Sequence, residues 1–370
     1  MQEHDAMPNL PNDLTQPPAL PPQAQPNADQ PAYFGEVYRF QFHGKAAEYF
    51  GIWFVNILLT IVTLSFYSPW AKVRRLRYFY QHSEFFQRSF DFTGLPSKIL
   101  IGRLIAIGIW VAFAIAAQLE MRVAAFGTLA IYLALPWLLR ATIRFTARNS
   151  KYSNSRFYFE GSTKQAYLQF LLGLLITVAT LGLFAPVMIW LYKRYIFDHL
   201  YIGQIRFKLK SDWSDYMAAV YLPIVIFIGV VVVVTIITYA FFLSSTEFLP
   251  STIMSIVVGL YILVIFFIAP LIQARIFITT WNNMQLGNSQ FKTDCNQWRF
   301  AWIVVSNWLV KIISLGLMSP WAAIRIYKYQ VESLSLLLND DLDQMMNQLQ
   351  SDPSAIGEEI SDIFDLDISL

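Results

Sequence analysis

Apolar residues fall into seven runs, at roughly 47–68, 99–118, 124–145, 166–191, 216–243, 253–274 and 300–318. Each is close to the ~20 residues that a helix needs to cross the hydrocarbon core of a bilayer. Between them lie short stretches of a different period. Val37-Tyr38-Arg39-Phe40-Gln41-Phe42 alternates every second residue, as a half-buried strand does. Ser89-Phe90-Asp91-Phe92-Thr93-Gly94 and Ile205-Arg206-Phe207-Lys208-Leu209 repeat the pattern. The predicted class is an all-α polytopic membrane protein with short cytoplasmic β-strands.

The runs are not independent. FQFHG at 40–44, TLSFYSPW at 63–70, Arg77-Tyr78 and His82 recur 117 residues later as FYFEG, TLGLFAP, Arg194-Tyr195 and His199. They recur 134 residues further on as FKTDC, SLGLMSPW, Lys328-Tyr329 and Ser333. The predicted order is three strand–helix–proline break–basic helix units (37–94, 155–210, 289–338) alternating with two transmembrane helix pairs (99–145, 216–274). Pro69, Pro186 and Pro320 occupy one position in the three units. Proline suits the first turn of a helix and disrupts an interior, so each apolar helix is expected to end there. The basic helix that follows is expected to lie on the membrane surface. The strands carrying Phe40/Phe42 and Phe90/Phe92 are expected to pair, or at least to lie side by side, on the cytoplasmic face, as are those carrying Phe157/Phe159 and Phe207/Leu209.

Composition agrees with a membrane setting. Of 370 residues, 56% are apolar and 14% charged, against about a quarter charged in soluble chains. The formal charge of +2 conceals an asymmetry. All 27 Lys and Arg lie within 36–338, and 339–370 holds nine acids and no base. Residues 1–35 read as a proline-rich arm without the apolar core of a signal peptide, so membrane entry falls to the first internal run. Basic loops stay cytoplasmic. If all seven runs spanned, the equally basic segments 69–98 and 193–215 would face opposite sides. Four full spans with three re-entrant units keep every basic loop and both termini inside; seven full spans are the alternative.

Candidate chemistry is sparse. The single Cys and four His exclude a disulfide framework and leave little for a metal site. No nucleophile elbow or phosphate-cradling loop occurs, so neither enzyme nor cofactor is expected. Arg77, Tyr78, His82, Arg194, Tyr195, His199, Lys328 and Tyr329 are the candidate substrate or headgroup contacts. Ordinary interfacial anchoring is their competing explanation. Asn56 and Asn307 share one position in the apolar helix, where the middle unit has Gly173; a small or polar residue there suits helix packing. The implied partners are membrane lipid with anionic headgroups and a cytoplasmic protein for the acidic tail, and not nucleic acid. Two functions stay open: transport or lipid handling at the repeat interfaces, or a non-transporting scaffold.

At FQFHG, TLSFYSPWAKVRRLRYFYQH, FDFTG, FYFEG and TLGLFAPVMIWLYKRYIFDH the sequence resembles the YjgN-like family of bacterial inner-membrane proteins. The resemblance covers about 40–335, with departures at Cys295 and Ser333. It implies a cytoplasmic-membrane location and brings no assigned reaction.

Overall fold

A computed structural model describes residues 36–119, 121–244 and 250–339. Its elements fall into five consecutive strand–helix–helix–strand modules. The first comprises β1 (Val37–Arg39), β2 (Gln41–Phe42), α1 (Ala46–Val62), α2 (Ser68–Gln81) and β3 (Ser83–Phe85). The second is β4 (Arg88–Phe92), α3 (Pro96–Leu119), α4 (Met121–Arg148) and β5 (Ser150–Tyr152). Next come β6 (Ser155–Phe159), α5 (Thr163–Ala179), α6 (Ala185–Phe197) and β7 (Leu200–Ile202). The fourth is β8 (Ile205–Leu209), α7 (Trp213–Ser244), α8 (Pro250–Asn282) and β9 (Met284–Leu286). The last is β10 (Ser289–Thr293), α9 (Gln297–Ile313), α10 (Ser319–Glu332) and β11 (Leu334–Leu337).

Two-residue turns join the modules. Phe86 and Gln87 both have positive φ (48° and 57°), and Ser153, Gly203 and Gly287 open the other three turns with φ of 53°, 53° and 60°. Turns of that hand match the twist of the strands they connect. All strand pairs are antiparallel, in the order β1-β11-β10-β9-β8-β7-β6-β5-β4-β3-β2. The two ends of that order are halves of one extended run. Tyr38 pairs with Leu336 and the Phe40 N–H donates to the Leu334 carbonyl, while Gln41 pairs with Glu84. The sheet therefore closes on itself and has no free edge.

Within each module one clasp ties the entering strand to the leaving one. The N–H of His43, Thr93, Glu160, Lys210 and Asp294 donates to the carbonyl of His82, Asn149, His199, Asn283 and Ser333 respectively, at 2.8–3.0 Å. Side chains of one strand face fill the ring. Phe40, Phe90, Phe157, Phe207 and Phe291, one per module, form a closed circuit with successive centroids 6.2–6.5 Å apart. Phe85, Tyr152, Ile202, Leu286 and Leu336 from the returning strands are buried with them. The interior of the ring is a packed apolar core.

The helices follow the same circle. Each described helix packs on its chain neighbours, α10 returns to α1, and each returning helix lies over the first strand of the next module. Three described helical segments are long and apolar enough to cross a membrane: Pro96–Gln118, Leu129–Arg148 and Trp213–Ala240. The protein is a membrane protein, mostly helical, built on a ring of strands.

Several expectations from the sequence need correction. The strands are not accessories to an all-α fold, because all 11 described strands join one sheet. The strands of Phe40 and Phe90 are not hydrogen-bonded partners; β3 lies between them, as β7 lies between those of Phe157 and Phe207. What meets is the rings, in the interior. The helix after each proline is not a separate element. It folds back antiparallel along its predecessor, since the end of α2 returns to the start of α1 through the His43–His82 clasp. Pro69, Pro186 and Pro320 do stand in the first turn of α2, α6 and α10.

Candidate functional site

The turn before each proline explains the Thr/Ser-Leu-Ser/Gly motif. At the end of α1 the Ser65 N–H reaches the Thr60 carbonyl and the Leu64 N–H reaches that of Ile61, closing the helix in a Schellman motif. Leu64, Leu181 and Leu315 take the left-handed conformation (φ 49–50°), and Gly182 and Gly316 follow them. Thr63, Thr180 and Ser314 then accept the N–H of Tyr67, Phe184 and Met318 at 2.9–3.1 Å, capping the proline-led helix. The turn thus supplies its own hydrogen bonds. Its side chains are apolar and open: Leu64, Leu181 and Leu315 are 84%, 94% and 93% exposed.

At the sheet end the candidate tyrosines act as latches. The Tyr78 hydroxyl accepts from the Lys45 N–H (2.8 Å) and donates to the Lys45 carbonyl (2.9 Å). Tyr329 repeats both bonds with Asn296, and Tyr195 donates to the Ser162 carbonyl at 3.1 Å. His82 and His199 bond the carbonyl four residues back through Nδ1, at 2.7 and 2.8 Å. Asn149 and Asn283 hold the same place in the second and fourth modules and donate to the same carbonyl position. The imidazoles therefore fill a helix-capping position that an amide fills equally well. Arg77 donates to the Phe92 carbonyl (3.0 Å), whereas Arg194 and Lys328 pair with Asp198 and Glu332 one turn on. The structure does not gather the eight candidates into one pocket; it distributes them around the ring, one set per proline-broken module.

The FxxxG-like motifs have a steric cause. A Cβ on Gly44, Gly94 or Gly161 would come within 2.4–2.6 Å of the ring of Phe42, Phe92 or Phe159 two residues earlier. The last two modules carry smaller pairs, Leu209 with Ser211 and Thr293 with Cys295. Burial pushes the Cys295 thiol up to about 11.

Sequence reasoning singled out the Asn56 position but not what surrounds it. Asn307 donates from Nδ2 to the Ala322 carbonyl (3.0 Å) and accepts from Arg325 at Oδ1 (3.2 Å). In the middle module Gly173 leaves room for Met188, whose Cγ would lie 2.8 Å from an added Cβ. The first module has neither arrangement: Arg74 turns to the Tyr67 hydroxyl (3.2 Å), and Asn56 Oδ1 is buried without a partner. Beside it a cleft of about 390 Å³ is lined by Tyr49, Trp53, Asn56, Thr60, Lys72 and Arg75, among others. A second cleft, about 350 Å³, lies among α4, α5 and α6 with Arg140, Gln169 and Tyr192 in its wall. Gln169 Oε1 is also buried and unpartnered. Among the described residues no cluster of His, Cys, Asp or Glu could hold a metal ion.

A family profile described as "Bacterial protein of unknown function (DUF898)" matches residues 37–363. The chain belongs to this family. That match takes in all five modules. Among curated relatives, inner membrane protein YjgN of Escherichia coli K12 is 30% identical over 128 residues, covering 34% of this chain and 32% of that protein. The protein of the same name from Escherichia coli O157:H7 is 29% identical over the same length and shares. The Salmonella typhimurium protein is 36% identical over 70 residues, 19% of this chain and 18% of its own. The matches thus span about a third or less of these relatives. No solved structure matches.

Proposed function

We propose that this family member is a multi-pass inner-membrane protein that moves phospholipid between leaflets along its short helical hairpins. The inner-membrane setting rests on the names of its relatives and on the apolar helices. The observation that carries the reading is a mismatch in length. All ten described helices start or end at the strand ring, but α1, α5 and α9 have 17 residues, α4 has 28, and α7 and α8 have 32 and 33. At 1.5 Å per residue that is about 25 Å against about 42–50 Å.

Arg140 and Arg275 stand two turns from the ring ends of α4 and α8, about 10–12 Å out, whereas the Arg103 guanidinium reaches away from the ring to the Ser68 hydroxyl at the tip of the first hairpin. Arg140 and Arg275 fit the headgroup boundary. Beyond it the short hairpins retain about 15 Å, half of the ~30 Å hydrocarbon core. Their turns carry no charge and satisfy their own backbone, as backbone inside a bilayer must.

This supports four full spans (α3, α4, α7, α8) and three half-depth hairpins. It also supports a cytoplasmic ring, since the strand hairpins carry Arg88, Lys151, Arg156, Arg206, Lys208 and Lys292. Glu36 and Leu338 are hydrogen-bonded (3.0 Å), so both ends of the described chain leave from the ring.

A half-depth hairpin shortens the hydrocarbon path above it. Lys72 and Lys311 bring charge to that path; ionisable groups at such depth mark routes for polar cargo. Reconstitution into liposomes with fluorescent phospholipid in both leaflets tests the reading. Dithionite should quench the inner-leaflet pool in protein-bearing vesicles only; rates equal to those of empty vesicles overturn it.

A further inference from the structure

The outer face of the sheet is charged unevenly around the ring. The apolar core takes the inward positions of the strands, so their alternate neighbours point outward. Along β5 to β10 those outward positions include Lys151, Arg156, Arg206, Lys208 and Lys292, and these six strands contain no acid. The remaining strands, β11 and β1 to β4, balance Arg39 and Arg88 with Glu84 and Asp91. The register sets Lys151 directly opposite Arg156, and like charges facing each other across a strand pair destabilise it. Equivalent pairs in other hairpins avoid this, with Glu84 opposite Ser89 and Gln285 opposite Gln290. Asp91 also faces Lys151, yet its carboxylate accepts from Gln81 at 3.2 Å. Among the described residues Lys151, Arg156, Lys208 and Lys292 form no ion pair.

The segment that leaves this arc has the opposite composition. Leu338 is buried. Asn339 donates from its N–H to the Ser289 hydroxyl and from Nδ2 to the Asn288 carbonyl, each at 3.2 Å. The chain therefore passes out over the β9–β10 turn, at one end of the basic arc. Residues 340–370 hold nine acids and no base, beginning with Asp340, Asp341 and Asp343, and the family match continues through them to residue 363. From β10 to β5 the arc spans five strand spacings, about 24 Å, which about eight extended residues would cover.

We infer that the acid-rich segment 340–370 docks on the outer face of the chain's own sheet, along the arc from β10 to β5. Its carboxylates meet Lys292, Lys208, Arg206, Arg156 and Lys151 and relieve the repulsion between the last two. Exposed ion pairs contribute little one by one, but a tethered segment meets its site at an effective concentration on the order of millimolar. The contact is intramolecular and sensitive to salt, because the Debye length falls from about 10 Å at 0.1 M to about 3 Å at 1 M. It goes beyond the lipid-transfer reading, and neither depends on the other.

Carbodiimide cross-linking of the full chain tests the docking, because the reagent joins a carboxylate to an amine only where the two touch. At low salt, mass spectrometry of the monomer band should find acids of the 340–370 segment joined to Lys151, Lys208 and Lys292. Lys98 and Lys164, exposed at the starts of α3 and α5, are the reference and should link about tenfold less, lacking the docked geometry. Raising the salt to about 1 M should erase that preference. Lys151→Gln with Arg156→Gln, both outside the core, should also weaken linking to Lys208 and Lys292, since one continuous arc holds the segment. The preference should persist in bilayer discs that contain phosphatidylglycerol. Links confined to the dimer band would assign the arc to a second copy of the chain, and their loss in anionic discs would assign it to the membrane surface. Either result overturns the inference, as does equal linking to Lys98 and Lys164 or a preference undiminished at high salt.

Discussion

At the scale of residues, pairs of positions have traded volume. Phe159 folds over Gly161, whereas Leu209 stands with Ser211 and Thr293 with Cys295 at the equivalent places. Gly161→Ala should therefore cost about 1–3 kcal/mol through overpacking. Adding Phe159→Leu should recover part of it, because the pair then resembles the fourth module, while the Tyr195 hydroxyl, 2.7 Å from the added Cβ, must still give way. Thermal melts of the four proteins of that cycle measure the coupling, and strictly additive losses would count against it. Cys295 provides a second test. Its thiol is raised from 9.0 to about 11 by burial, so the neutral form is the one the fold prefers. That contribution is complete below the unfolded thiol's pKa and is lost as pH climbs through about 11. Alkylation in the native protein should accordingly be slow at neutral pH and accelerate only in strong alkali, while denatured protein reacts near pH 9. Fast native labelling at neutral pH would mean that the strand–helix junction opens.

At the scale of elements, the sequence showed the proline breaks plainly, because Thr63, Thr180 and Ser314 recur six residues before Pro69, Pro186 and Pro320. It concealed the direction of the chain after the break. The bases of α2 suggested a surface helix, but helix length becomes informative only once the ring gives every helix a common floor. Strands such as Ser83–Phe85 and Leu200–Ile202 were hidden for another reason. Three residues are too few for a period to register, and neighbours on both sides hold them extended. The candidate site was half legible: the recurrence of Asn56 and Asn307 stood out, but the loss of Arg74 to Tyr67 is tertiary. Cysteines at the tips test the half-depth hairpins. In spheroplasts and in inverted vesicles of Leu64→Cys, Leu181→Cys and Leu315→Cys variants, a membrane-impermeant maleimide should label none of the three. Labelling from the periplasmic face would mean true spans and return the molecule to a seven-span topology.

At the scale of the whole molecule, five modules turn about one axis, although the sequence displayed three. The second began unseen because FDFTG reads as the close of the first unit rather than the opening of the next. The fourth was masked by Leu209 and Ser211, which replace the phenylalanine and glycine of the motif. Closure itself could not be read, because β1 and β11 meet from opposite ends of the membrane domain. A ring of equivalent modules has no privileged starting point, and its ends already touch at Glu36 and Leu338. Circular permutation follows from that. Joining residue 339 to residue 36 with a short flexible linker and opening the chain between Gly203 and Gln204 keeps every module whole. It also leaves the new termini on the ring side, where the old ones were. The permutant should insert, purify as a monodisperse species and melt within a few degrees of the parent, since one hairpin turn is exchanged for another. Opening the chain inside α9 instead splits a helical hairpin that the proposed topology places in the bilayer, where broken backbone bonds find no water, and should abolish accumulation. If the Gly203–Gln204 permutant fails while the parent with the same linker inserted at 339 survives, the sheet is not a closed ring of interchangeable modules.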